Sequence, residues 1–159
     1  MNGRVINALR LCLVVLGLGA LFGQVVYVPV AASQSAQEHP ELAYLAVPYA
    51  IAMIVVLVCV QAALIAVGKL LAMVEHGWIF NPEALRWVDV IIVSAAAATV
   101  ITVATVTHLI SWVGVGGPFA VLVQAASLVG GVSFVLLMIV MRGLLASATV
   151  LQSEMAEVV

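Results

Sequence analysis

Between Asp89 and Arg142 the chain reads VIIVSAAAATVITVATVTHLISWVGVGGPFAVLVQAASLVGGVSFVLLMIVM, 52 residues (90–141) without one charged side chain. A helix rises 1.5 Å per residue and needs about 20 apolar residues to cross roughly 30 Å of hydrocarbon. The stretch therefore holds two crossings, provided it turns in the middle. Residues 111–118, Ser-Trp-Val-Gly-Val-Gly-Gly-Pro, supply that turn. Two further uncharged stretches lie upstream, each of 27 residues, between Arg10 and Glu38 and between Glu41 and Lys69. Each has room for one crossing. The expected architecture is all-α, an integral-membrane four-helix bundle in one domain, with spans near 11–32, 47–72, 84–110 and 119–141. Barrel strands are disfavoured because runs such as 51–60 do not alternate apolar with polar. A helix also satisfies its backbone hydrogen bonds within one segment.

Composition agrees. Hydrophobic residues make up 66% of the 159 and charged residues 8%, against about 25% charged in a soluble domain. Five basic and seven acidic side chains, net −2, offer no phosphate-attracting face, so direct nucleic-acid binding is excluded. Residues 11–32 exceed the usual 7–15-residue signal h-region and are expected to stay as a span.

The cations give an orientation. Arg4 and Arg10 precede the first span, Lys69 and Arg86 flank the second-to-third loop, and Arg142 follows the fourth. With four crossings, all five fall on one side. The positive-inside bias makes that side cytoplasmic and puts both termini there. The expected location is a bacterial cytoplasmic membrane; the scarcity of Lys and abundance of Ala and Val hint at a GC-rich bacterial genome. The opposite side is expected to carry a loop of about 14 residues, 33–46, and the glycine turn.

Small residues mark candidate packing faces: Gly19-x-x-x-Gly23, the run from Ser94 to Thr99, Ala126-x-x-x-Gly130 and Ser127-x-x-x-Gly131. They suit packing within one monomer, with a homodimer as the alternative. Gly77 is expected to end the second helix, with Asn81 and Pro82 starting the third. Glu83, Arg86 and Asp89 are spaced for pairing along the third helix. After Arg142, the residues Leu144, Ala148, Leu151, Met155 and Val158 form a heptad-spaced seam. Phe134, Leu137 and Met141 continue it back into the span. The fourth helix is thus expected to extend as a cytoplasmic tail over 142–159, packed on the second helix near 69–75 or docked on another protein.

No catalytic constellation stands out. His39, His76 and His108 are scattered, Cys12 and Cys59 do not form Cys-x-x-Cys, and no nucleophile, base and orienting group converge in the pattern. No cofactor, metal or enzymatic activity is expected. Polar residues inside the spans are the remaining candidates, since they are costly there. Gln24, His108 and Gln124 could line an outward-facing polar pocket; the plainer alternative is interhelical hydrogen bonds worth about 0.6 kcal/mol each.

Lys69-Leu-Leu-Ala-Met-Val-Glu-His-Gly-Trp-Ile-Phe80, followed by Asn81-Pro-Glu-Ala-Leu-Arg-Trp-Val88, resembles the inner loop of a bacterial membrane family catalogued as domain of unknown function 2975. That family shows a K-L-L-x-x-[IV]-x-x-G-x-x-F loop, a capped third helix and a tail similar to 151–159. Its members often carry Lys or Asp around the glycine and Ser after the phenylalanine; here His76, Trp78 and Asn81 stand in those places. The resemblance implies four spans and no established activity. It also implies a genomic neighbour, a small helix-turn-helix regulator.

Two functions are therefore expected to compete. One is a non-enzymatic regulatory membrane protein that contacts a cytosolic transcription regulator through Glu75, Trp78, Phe80, Leu151, Glu154 or Met155. The other is a small transporter or channel built around Gln24, His108 and Gln124.

Overall fold

The computed structural model describes residues 3–38, 40–75, 82–114 and 117–157. Among these the chain is helical except at Gly114, with no strand. The first helix runs from Gly3–Phe22 through a π-helical turn, Gly23–Tyr27, into Val28–Glu38. A 3₁₀ turn, Pro40–Leu42, leads to the second helix, Ala43–Glu75. The third, Pro82–His108, ends in a π turn, Leu109–Val113. The fourth, Gly117–Glu157, is unbroken over 41 residues. All four are long and apolar enough to cross a membrane.

The helices overrun the apolar windows that locate them. The first continues through Ser33, Gln34 and Gln37 because nothing breaks it before Pro40. The connection expected over 33–46 is consequently no loop of 14 residues; helix and the 3₁₀ turn fill most of it. The π turn in the first helix sits just before Pro29. Proline has no N–H to give the Val25 carbonyl, and the backbone adjusts locally: the Val28 N–H reaches back to the Gly23 carbonyl. At the end of the third helix Gly114 adopts φ 70°, and its N–H returns to the Leu109 carbonyl. This is a left-handed glycine stop. The expected caps at Gly77 and Asn81 lie outside the described residues, while Pro82 does open the third helix, with Glu83 in its first turn.

Interhelical pairs set an antiparallel register. Arg10 meets Glu75 and Gln24 meets Gln61 across the first and second helices. Tyr49 meets His108 across the second and third. Asp89 meets Arg142 and Thr107 meets Gln124 across the third and fourth. Both ion pairs thus lie at one end of the molecule, with the start of the first helix and the end of the fourth. We refer to it as the basic end.

The bundle is opened out into a row. Close backbone approaches among the described residues join first to second, second to third and third to fourth helix, and no other pair of these helices. The accessible surface, 10541 Å², exceeds the roughly 7,600 Å² of a compact soluble chain of 16.5 kDa. Apart from Ile6 and Val28, every buried side chain among the described residues is on the second or third helix: Ala66, Leu71, Ala84, Val88, Ile91 and Ser94. The surrounding surface is Leu, Val, Ile and Phe, which suits lipid as solvent.

Of the small-residue motifs, two pack tightly against each other, the one ending at Gly131 and the run from Ser94 to Thr99. A Cβ on Gly131 would meet the Thr99 side chain, with Cγ2 at 2.5 Å and Cβ at 2.9 Å. Gly19 and Gly130 face open space, and Gly23 has only an ordinary contact with Leu57 at 3.8 Å.

The tail lies along the third helix. Seven residues on from Arg142 and seven back from Asp89 bring Thr149 level with Pro82. Only the last two turns of the described helix therefore run past the start of the third. Among the described residues the fourth helix makes no close backbone approach to the second, so the packing expected against 69–75 is not found there.

Candidate functional site

Charged and polar side chains occupy three levels of the row. At the basic end, Arg10 Nη2 donates to Glu75 Oε2 at 2.8 Å. Arg142 grips Asp89 with two bonds, Nε to Oδ1 at 2.5 Å and Nη2 to Oδ2 at 3.2 Å. A two-pronged guanidinium–carboxylate pair fixes orientation as well as distance. The sequence spacing suggested Arg86 as the partner of Asp89; the fourth helix supplies Arg142 instead. Arg86 is exposed and, with Asp89 and Ser94, lines a shallow hollow of about 330 Å³.

At mid-height the first and second helices are tied by amides. Gln61 Nε2 donates to Gln24 Oε1 at 3.1 Å, and Gln24 Nε2 makes a long contact with the Ile54 carbonyl at 3.4 Å. Glutamine is long enough to reach a neighbouring helix, and lipid offers it no competing partner.

At the far end, the Tyr49 hydroxyl lies 2.8 Å from His108 Nδ1. In the Nε2–H tautomer the hydroxyl donates to Nδ1. The Tyr49 ring meets His108 edge-on, and His108 stacks on Trp112 with centroids 6.1 Å apart and planes 6° apart. Gln124 Nε2 donates to Thr107 Oγ1 at 2.6 Å. Aromatic rings with polar tips suit a membrane boundary.

The three residues expected to line one pocket are thus held in separate pairs: Gln24 with Gln61, His108 with Tyr49, Gln124 with Thr107. No hydrogen bond joins the three to one another. Each pair links adjacent helices, and together they act as ties along the row. The partners Tyr49 and Thr107 were hidden because their residue types have ordinary roles, a tyrosine at the boundary and a threonine among many. Thr99 and Thr105 illustrate that background, donating to the carbonyls of Ala95 and Ile101 one turn back.

Of the residues expected to contact a partner, Glu75 is exposed but held by Arg10, and Leu151 is exposed. Trp78 and Phe80 lie outside the described residues. Glu154 and Met155 are on the fourth helix, and their side chains also lie outside what is described. The seam before them is solvent- or lipid-facing: Phe134, Leu137, Met141, Leu144 and Leu151 are all exposed, Leu144 by 61% and Leu151 by 59%. Leu145, Ala146 and Thr149 are less exposed, as is the seam's own Ala148, so Leu144 and Leu151 face outward while Ala148 lies nearer the inward side of the helix. Among the described residues no three of His, Cys, Asp and Glu gather as metal ligands.

A family model described as Protein of unknown function (DUF2975) matches residues 30–159. No curated protein and no solved structure matches the chain.

Proposed function

The chain belongs to the DUF2975 family, and from that premise we propose that it is a non-enzymatic membrane protein that docks a cytosolic regulator on the exposed seam of its fourth helix. The observation that carries this reading is the seam itself. Leu144 and Leu151 continue a heptad stripe past the Asp89–Arg142 pair and stay exposed. An apolar stripe at i, i+4, i+7 spacing, here Leu144, Ala148 and Leu151, is what a partner helix or groove recognises. The family resemblance supplies the expected partner, a small helix-turn-helix regulator. The basic end is then cytoplasmic, in a bacterial inner membrane, as Arg4, Arg10, Lys69, Arg86 and Arg142 favour. The pairwise use of Gln24, His108 and Gln124 favours docking over transport, since each polar tip already has a partner.

The test is Leu144→Glu with Leu151→Glu in the full-length protein. Each leucine is expected to contribute about 1–2 kcal/mol to docking, so the double variant should lose about a hundredfold in affinity for the regulator. Transcription of the neighbouring operon should shift in step, with membrane insertion unchanged. Normal insertion with unchanged capture of the regulator and unchanged transcription would overturn the reading.

A further inference from the structure

The first and second helices touch at both polar levels but part between them. Arg10 pairs with Glu75 and Gln24 with Gln61. Seven residues on from Arg10 is Gly17; seven back from Glu75 is Gly68. Two glycines therefore stand level with each other, midway between an ion pair and an amide pair. Glycine inside a helix normally costs about 1 kcal/mol relative to alanine, and in a membrane its usual return is close approach of a neighbouring helix. Neither glycine has that return. A Cβ on Gly17 or on Gly68 would meet nothing within 4 Å.

What the glycines leave is a cavity of about 530 Å³, open along one side between the two helices. Its walls are Leu13, Val14, Leu18 and Leu21 on one helix and Leu64 and Ile65 on the other. Arg10 lies at one end and Gln61 at the other. An engineered protein cavity of about 150 Å³ holds benzene, so by that scale this one has room for about twenty carbons. From Arg10 to Leu21 the helix rises about 16 Å, close to half the roughly 30 Å of bilayer hydrocarbon. The cavity has the length of one leaflet, an apolar interior and a cation at the end facing the headgroups of the basic side.

We infer that this cavity binds one acyl chain of an anionic phospholipid, with the phosphate held by Arg10 and Lys69. Arg10 uses Nη2 on Glu75 and keeps further N–H donors in a side chain that is 53% exposed. Lys69 follows Gly68 directly and is exposed; its stem can run along the apolar wall while the ammonium reaches the headgroups. Arg10 and Lys69 against Glu75 leave one net positive charge at this end, which favours an anionic lipid over a neutral one. The site is separate from the tail seam, so it stands or falls independently of the docking reading.

The experiment uses the full chain, purified in detergent and stripped of lipid. It is offered equal amounts of phosphatidylglycerol and phosphatidylcholine with the same acyl chains, and bound lipid is read by native mass spectrometry. The wild type should retain one phosphatidylglycerol, preferred about fivefold per cation over phosphatidylcholine. Gly17→Leu with Gly68→Leu fills the cavity and should lower retention about tenfold or more at unchanged helicity. Lys69→Gln leaves the apolar walls and the Arg10–Glu75 pair in place and should lose about fivefold of the preference for phosphatidylglycerol. That second variant decides the matter even where the leucine variant fails to fold. Equal binding of the two lipids by the wild type would overturn the inference. So would full retention by the cavity-filled variant, or binding of free oleate in place of phosphatidylglycerol. A lipid-free dimer that Gly17→Leu with Gly68→Leu dissociates would give the cavity to a second copy instead.

Discussion

Gly131→Leu is expected to drive the third and fourth helices apart, while Gly130→Leu, one residue away, leaves them in place. The difference follows from what each new Cβ would meet. At Gly131 it runs into Thr99, whose Cγ2 lies 2.5 Å away and whose Cβ lies 2.9 Å away. Thr99 cannot rotate clear, because its hydroxyl is bound to the Ala95 carbonyl at 2.8 Å and its own Cβ is part of the clash. The backbones must separate. Overpacking typically costs 1–3 kcal/mol, and leucine, with four carbons to place, is expected at about 3 kcal/mol or above. At Gly130 the new Cβ has nothing within 4 Å, and a leucine there replaces a poor helix former on a lipid-facing site. Reversible unfolding in mixed micelles measures both. In a Gly131→Ala background, Thr99→Gly should recover most of the loss. Equal stability of the Gly131 and Gly130 leucine variants would mean the two helices do not meet there.

The second large effect is expected at Ala66, which has 0% exposure. From the Tyr49–His108 contact, 17 residues on in the second helix and 17 back in the third put Ala66 level with Ile91, itself 3% exposed. A methyl is the side chain that this approach admits. Ala66→Leu should cost about 1–3 kcal/mol by overpacking. Ala66→Asp should cost more, since a carboxylate in a span costs about 2.5–3.5 kcal/mol even on insertion scales and this position is fully buried. Val58→Leu, on an exposed face of the same helix, is expected to be neutral. Unfolding midpoints that ranked Val58→Leu with Ala66→Asp would remove the second–third interface from the account.

The gaps between charges were enough to read the fold class, because a charged side chain is the costliest thing to leave in hydrocarbon. Helix ends were less legible. Apolar windows mark where lipid is, whereas the backbone stays helical through Ser33, Gln34 and Gln37 until Pro40 interrupts it. The π turn before Pro29 had a local sign, proline one turn beyond Gly23 and Gln24, that the apolar pattern masks. The row arrangement had none. Gly19, Gly130 and Gly131 look alike in sequence, and only the rotation of each helix decides that Gly131 meets Thr99 while the others face open space.

The polar residues were visible one at a time, and their partners were not. Gln24, His108 and Gln124 stood out because polar atoms in a span are few. Which group each one reaches depends on the register between helices: Gln61, Tyr49 and Thr107 respectively. Asp89 shows the same limit, since its i−3 neighbour Arg86 was the readable partner and Arg142, 53 residues away, is the actual one. The cavity at Gly17 and Gly68 could not be read, because glycine in a span more often signals close packing than space.

The central claim is four crossings with the basic end inside. Single cysteines placed at Gln37, Ser111 and Ser147 in a Cys12→Ala, Cys59→Ala background test it in intact cells with a membrane-impermeant maleimide. The account expects Gln37→Cys and Ser111→Cys to react from outside and Ser147→Cys to react only after permeabilisation. Labelling of Ser147→Cys from outside, or protection of Gln37→Cys, would contradict it.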